Sequence, residues 1–299
     1  MAKEKLYRIL LALLCAVLAV GCGKPQPRFV QISDPQLGFI TKDGNFQPEV
    51  ELMDKIIEQV NALEADFVVF SGDLVHWRTD SAAVVAFDHL LGKINKKVYC
   101  LPGNHDVGNE ASAEDITAFV THYGSDRFVH KADTYTVIGY NSCVVKAQTP
   151  AEEAEYEWLA EQLAAADKRK PIIIVAHHPI FLNLPDEPET YENFPVELRS
   201  KYLQLFEEQG ADLYLAGHLH KCNRVEYGGM QMVTASAAGR QLGRDKPGYS
   251  VISFEEGAPV VEYLPAEPET PAAATPATAS PGAAAPGATK MNNLKTQTI

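Results

Sequence analysis

Five short apolar runs, each ending in a polar cluster, constrain this chain more than any other feature. Phe29-Val30-Gln31-Ile32 leads into Ser33-Asp34-Pro35-Gln36, and Phe67-Val68-Val69-Phe70 into Ser71-Gly72-Asp73. Val98-Tyr99-Cys100-Leu101 leads into Pro102-Gly103-Asn104-His105-Asp106. Ile172-Ile173-Ile174-Val175 leads into Ala176-His177-His178-Pro179, and Leu213-Tyr214-Leu215-Ala216 into Gly217-His218-Leu219-His220. Runs this short and this apolar read as strands buried on both faces. Any one polar end is an ordinary turn. Five together deliver Asp, Asn, Gln or His to the strand ends where open α/β sheets bind ligands. That donor set points to a metal site.

Helical periodicity fills the intervals. Pro48 opens a helix over 49–65, with Val50, Met53, Ile56, Ile57, Val60 and Leu63 on one face. Further helices are predicted over 81–94, 113–123 (capped by Ser112), 150–166 and 196–209, the last closed by Gly210. Strands are predicted at 66–71, 97–101, 134–140, 171–176 and 211–216. Four later strands, at 224–227, 231–235, 249–254 and 259–263, follow without helices and read as a second sheet. The expected fold is α/β, a four-layer α-β-β-α sandwich of two mixed sheets flanked by helices. Residues 183–194, rich in Pro, Asp and Glu, read as a mobile loop beside the strand ends.

The ends of the chain read differently. Residues 1–21 carry a basic start (Lys3, Lys5, Arg8) and an apolar run too short to span a bilayer, the pattern of a secretory signal. Small residues before Cys22 resemble a bacterial lipobox, with Ala19 where Leu is usual. Lipidation at Cys22 predicts an exported protein anchored to a bacterial membrane, on the periplasmic or cell-surface side. The alternative is ordinary cleavage with Cys22 a plain thiol, which also places the mature protein outside the cytoplasm. The folded domain is expected over 28–264. From 265 to 299, small residues and prolines dominate, a composition that cannot bury enough to order itself. Cys100, Cys143 and Cys222 cannot all pair, so no disulfide framework is expected. Cys100 and Cys143 read as packed hydrophobes in strands. Net charge is -13 and no basic cluster occurs in the body, which argues against nucleic acid as a partner. A monomer is expected.

Carboxylate, imidazole and carbonyl oxygen suit divalent cations such as Mn, Fe or Zn. Two such ions about 3.5–4 Å apart clamp an in-line displacement at phosphorus and generate hydroxide from water. His105 is placed to protonate the leaving oxygen, its ring oriented by Asp73 or Asp106. Arg240 and Arg244 are candidate phosphate contacts, the alternative for Arg244 being an ion pair with Asp245. His76 is a candidate pocket residue. Trp77, Tyr191 and Phe194 either wall the site or simply pack.

Taken in order, these strand ends resemble the calcineurin-like metallophosphoesterase superfamily, over roughly 28–263. Its pattern is Asp-x-His, Gly-Asp, Gly-Asn-His-Asp/Glu, His, and Gly-His-x-His. The resemblance implies phosphate ester hydrolysis at two divalent metal ions. It implies that Asp73 bridges them, that Asp34 and His220 hold the first, and that Asn104, His177 and His218 hold the second. His105 is the implied catalytic histidine, and His178 is left a supporting role. The chain departs at Asp34-Pro35-Gln36, where Gln36 offers a neutral oxygen in place of imidazole. The first metal is therefore expected to bind more weakly. Asp-Pro-Gln-x-Gly, Gly103-Asn104-His105-Asp106-Val107-Gly108-Asn109 and Gln241-Leu242-Gly243-Arg244-Asp245 are similar to a branch of animal serine/threonine phosphatases. That branch implies phosphomonoester hydrolysis, on a small molecule or a phosphoprotein. A phosphodiesterase or nucleotide hydrolase of the same fold is the alternative, and so is a non-catalytic metal-binding surface lipoprotein.

Overall fold

The computed structural model describes residues 28–41 and 43–267. Chain order is β1 (Phe29–Ile32), α1 (Gln47–Ala62), β2 (Phe67–Phe70), α2 (Ser81–Leu91), β3 (Lys97–Cys100), α3 (Asn104–Val107), α4 (Ala113–Tyr123), β4 (Phe128–Lys131) and β5 (Thr136–Gly139). It continues through α5 (Ser142–Lys146), α6 (Glu152–Ala164), β6 (Ile172–Val175), α7 (Val196–Glu208), β7 (Leu213–Ala216), β8 (Asn223–Tyr227), β9 (Met230–Thr234), β10 (Gly248–Glu255) and β11 (Ala258–Pro265).

The strands form two mixed sheets, ordered β11-β10-β1-β2-β3 and β4-β5-β6-β7-β9-β8. The four late strands do not make a sheet of their own. β9 runs parallel to β7 and carries β8 with it, while β10 pairs antiparallel with β1 and carries β11. Each pair completes the open edge of a different sheet, a choice made by long-range pairing. The strand β4 and the short helices α3 and α5 were not foreseen; four or five residues are too few to show a period. Cys143, expected in a strand, is buried in α5.

Alternation along each strand builds two cores. Phe29, Phe67, Val69, Val137, Ile173, Val175, Leu213 and Leu215 fill the space between the sheets. Val30, Ile32, Val68, Phe70, Ile172 and Ile174 face outward and pack with the helices. α1 contributes Met53, Ile56, Ile57 and Val60, as its period predicts. The polar exception in the seam is Gln31. Its Nε2 donates to Ala216 O at 2.8 Å and to Ser71 Oγ at 3.0 Å, tying one sheet to the other just below the strand ends.

The domain runs past its expected border at 264. Pro265 closes β11, the Ala266 amide donates to Pro247 O, and Gln59 Nε2 donates to Ala266 O. Residues 1–21, expected to be a signal, Cys22, and the residues beyond 267 lie outside the described residues. Among the described residues no helix is long and apolar enough to cross a membrane.

Candidate metal centre

β1, β2 and β3 are neighbours in one sheet, and β6 and β7 in the other. Their C-terminal ends therefore meet, and the polar residues after them converge. Asp34, Asp73 and His220 bring one ligand atom each within 4.8 Å of one another, and so do His177, His178 and His218. Asn104 Oδ1 joins the second group, 3.2 Å from His177 Nε2. Asp73 stands between the groups: His177 Nε2 lies 3.5 Å from its Oδ2, while the His105 amide donates to its Oδ1 at 2.9 Å. His220 Nε2 lies 3.4 Å from Asp34 Oδ1. Asp34, Asp73, Asn104, His177, His218 and His220 thus converge in two adjoining groups.

Backbone strain is concentrated here. Asp34, Gln36, Asp73, His218 and His220 all have φ between 42° and 71°. Such a conformation costs a non-glycine residue on the order of 1–3 kcal/mol. It turns the side chains together off the strand ends. Close approach explains the motif glycines. A Cβ on Gly103 would stand 2.1 Å from Asp73 Oδ1, and one on Gly217 would stand 1.8 Å from Ser33 Oγ.

Each ring is aimed by a backbone carbonyl. His177 Nδ1 lies 2.9 Å from Ser71 O, His218 Nε2 lies 3.3 Å from Tyr191 O, and His220 Nδ1 lies 2.5 Å from Arg240 O. A carbonyl only accepts, so the outer nitrogen carries the proton and the inner one turns its lone pair to the cluster. His177 Nε2 and His218 Nδ1 consequently face each other at 3.1 Å. Two acceptors in contact are satisfied by a proton or a cation. Burial opposes charge on His177, but Asp73 and Asp34 override it and push the ring up to about 9. Burial and His177 hold His218 down at about 3. Burial also disfavours the Asp73 carboxylate, yet His177, His105 and His218 keep it far below its usual range. Asp34 is raised, chiefly by burial, despite His220 and His177.

Gln36 fits as an oxygen donor. It is 1 % exposed, and its Oε1 is buried with no hydrogen-bond partner. An orphaned buried carbonyl is costly unless a cation or water meets it. His178 supports the cluster: its Nδ1 lies 3.2 Å from Ser142 Oγ, and its ring centroid 4.5 Å from that of His218.

The expected orientation of His105 needs correction. Neither carboxylate orients the His105 ring. Its Nδ1 lies 2.8 Å from His76 O, while Asp106 accepts from the Leu74 and Gly103 amides. Burial, then Asp73, raises Asp106 to about 8. His76 stacks between Phe39 and His105, with centroids 4.8 Å away in each case. Arg240 lies over the Phe39 ring at 4.9 Å and donates to Phe39 O. Arg244 is exposed and makes no hydrogen bond or ion pair among the described residues. The Asp245 carboxylate accepts instead from the Cys222 amide. Phe194 is buried core, not wall.

The loop at 183–194 is densely tied rather than loose. Glu187 accepts from the Leu182, Asn183 and Leu184 amides. The buried Arg199 guanidinium donates to the carbonyls of Phe194, Pro185, Glu187 and Pro188. This loop delivers Tyr191, whose Oη accepts from Asn104 Nδ2 at 2.7 Å and whose ring rests on His218. Tyr191 thus holds two members of the second group. Its aromatic character was visible in the sequence; the path of the loop was not.

Fold, strain and donor set define a phosphoesterase built for a pair of divalent cations. The calcineurin-like phosphoesterase family model matches residues 27–222, and the chain belongs to that family. It is a hydrolase of phosphate esters. The human serine/threonine-protein phosphatase CPPED1 is 30% identical over 249 residues, covering 75% of this chain and 79% of that protein. The zebrafish CPPED1 is 27% identical over 262 residues, covering 79% and 83%. A crystal structure of a dimetal phosphatase from Danio rerio has a TM-score of 0.61 at 14% identity, covering 82% of this chain and 98% of that one. The GAP50 anchor of the Plasmodium inner membrane complex has a TM-score of 0.58 at 17% identity, covering 82% and 86%. At those identities the two structures establish the fold alone.

Proposed function

We propose that this chain hydrolyses phosphate monoesters, with phosphoprotein as the substrate class. The observation that carries the reading is the inward-facing donor set, in which three imidazoles have their outer nitrogens tied to carbonyls. The serine/threonine phosphatase relatives support the monoester choice. Asp34, Gln36 and His220 would hold one cation, Asn104, His177 and His218 the other, and Asp73 both. Mn, Fe and Zn all suit this mix of oxygen and nitrogen. A pair of such cations supplies Lewis acidity and a hydroxide nucleophile when bound.

The chain's own residues do the rest. Asp73 holds the His105 amide, fixing the start of α3 against the cluster. His76 O keeps a proton on His105 Nδ1 and leaves Nε2 as the free face. With Nε2 also protonated, His105 donates to the leaving oxygen. Burial and the adjacent His105 hold His76 down at about 4, so His76 stays neutral beside it.

Export and lipid attachment at Cys22 belong to the same proposal and rest on the sequence alone. A Cys22→Ser variant that still incorporates labelled fatty acid would remove the anchor.

The experiment is a comparison of p-nitrophenyl phosphate with its bis-ester, with added Mn, alongside metal counting by mass spectrometry. Faster monoester turnover with near two cations per chain is expected. Faster bis-ester turnover would replace the monoester reading with a diesterase. One cation or none, without turnover, would leave a binding protein.

A further inference from the structure

The border of this polar centre is apolar. Among the described residues six large apolar side chains are exposed, and four of them, Trp77, Leu184, Tyr191 and Leu242, lie on loops leaving C-terminal strand ends. Trp77, 62 % exposed, has its ring 4.5 Å from His76 and 6.4 Å from His105. Leu242, 61 % exposed, donates its amide to His220 O. Tyr191, 56 % exposed, lies 4.9 Å from His218. From Trp77 the rings continue through His76 and Phe39, which meets His220 edge-on at 5.4 Å. An aromatic arc therefore runs from the catalytic histidine to the first cation group, with Leu242 beyond it and Tyr191 beside the second group.

We propose that this rim binds the side chains flanking a phosphorylated residue. The preferred substrate is an extended phosphopeptide segment with bulky apolar residues next to its phosphate. This rests on the phosphatase reading above. Exposed apolar residues are normal when scattered; gathered around one site they mark recognition. A small phosphate ester seated on the cations would leave Trp77 and Leu242 wet. An extended chain advances about 3.3–3.6 Å per residue, so positions one or two removed from the phosphate reach rings at these distances.

The test compares two phosphoserine peptides that differ only in carrying Leu or Ala on both sides of the phosphoserine, with glycerol phosphate as the small ester. Wild type, Trp77→Ala and Leu242→Ala are assayed as holoenzymes. Wild type should favour the Leu peptide by about tenfold in kcat/KM, the scale of burying one apolar side chain. Each variant should lose most of that preference while glycerol phosphate hydrolysis stays within about twofold of wild type. Equal treatment of the two peptides by a wild type that hydrolyses glycerol phosphate overturns the rim and spares the phosphatase reading. If no ester is hydrolysed, that reading fails, and anisotropy of the labelled peptides decides the rim: tighter Leu-peptide binding lost in Trp77→Ala supports it, equal binding overturns it. Sedimentation with phosphatidylcholine vesicles that depends on Trp77 and Leu242 would give the rim to a lipid surface and likewise overturn it.

Discussion

Removing one hydroxyl tests whether Tyr191 sets the second cation group. In Tyr191→Phe the ring contact on His218 and the Tyr191 carbonyl at His218 Nε2 both remain, and only the 2.7 Å bond from Asn104 Nδ2 is lost. A hydrogen bond of this kind contributes a net ~0.5–1.5 kcal/mol, or roughly 2- to 13-fold in an equilibrium constant. Partners that orient metal-binding side chains typically matter by ~10–100-fold. The two scales overlap near tenfold, which is the expected weakening of the second cation. The first cation, which Asp34, Gln36 and His220 would hold together with Asp73, should shift by less than about twofold. Because the ring is mostly exposed, global stability should change by less than about 1 kcal/mol. Calorimetric Mn titration of metal-stripped protein reads both sites, and urea unfolding reads stability. Equal weakening at both sites, or none at either with the fold intact, would refute the argument.

Three further outcomes follow from the geometry. His105→Ala should lower turnover by about 10²- to 10⁴-fold with metal content unchanged, and full activity would remove His105 from the reaction. Gly217→Ala would drive a Cβ to 1.8 Å from Ser33 Oγ and 2.6 Å from Asp34 Oδ2. The strain should cost about 1–3 kcal/mol in denaturant unfolding, with the first cation weakened more than the second. Burial raises the Glu155 carboxyl from 4.5 to about 7; the Asn141 amide lowers it, Asp126 raises it and Arg127 lowers it. The folded state then keeps a proton that the unfolded chain has released between those values. That stabilisation is fully present below pH 4.5 and lost as pH rises through 7, by at most about 3 kcal/mol. Glu155→Gln should flatten the fall in urea midpoint over that window, and an unchanged slope would assign it to other groups.

The apolar runs and their polar ends were legible because a strand buried on both faces leaves a signature within a few residues, as Ile172–Val175 does. The donor types at Asp34, Asp73, Asn104, His177, His218 and His220 are side-chain facts, and the glycines at 103 and 217 mark where neighbouring segments crowd. The sequence by itself therefore determined the strands of the centre, the chemistry delivered to it and the family. It could not say that β8 and β9 leave β10 and β11 for the opposite sheet, because either edge offers the same unpaired amides and carbonyls. Nor could it place Tyr191, whose position depends on a loop path pinned by Arg199. Above all, the partners that aim the rings are main-chain carbonyls of Ser71, His76, Tyr191 and Arg240. A carbonyl is the same in every residue and leaves no trace in the sequence, so only the folded chain decides which one a histidine meets.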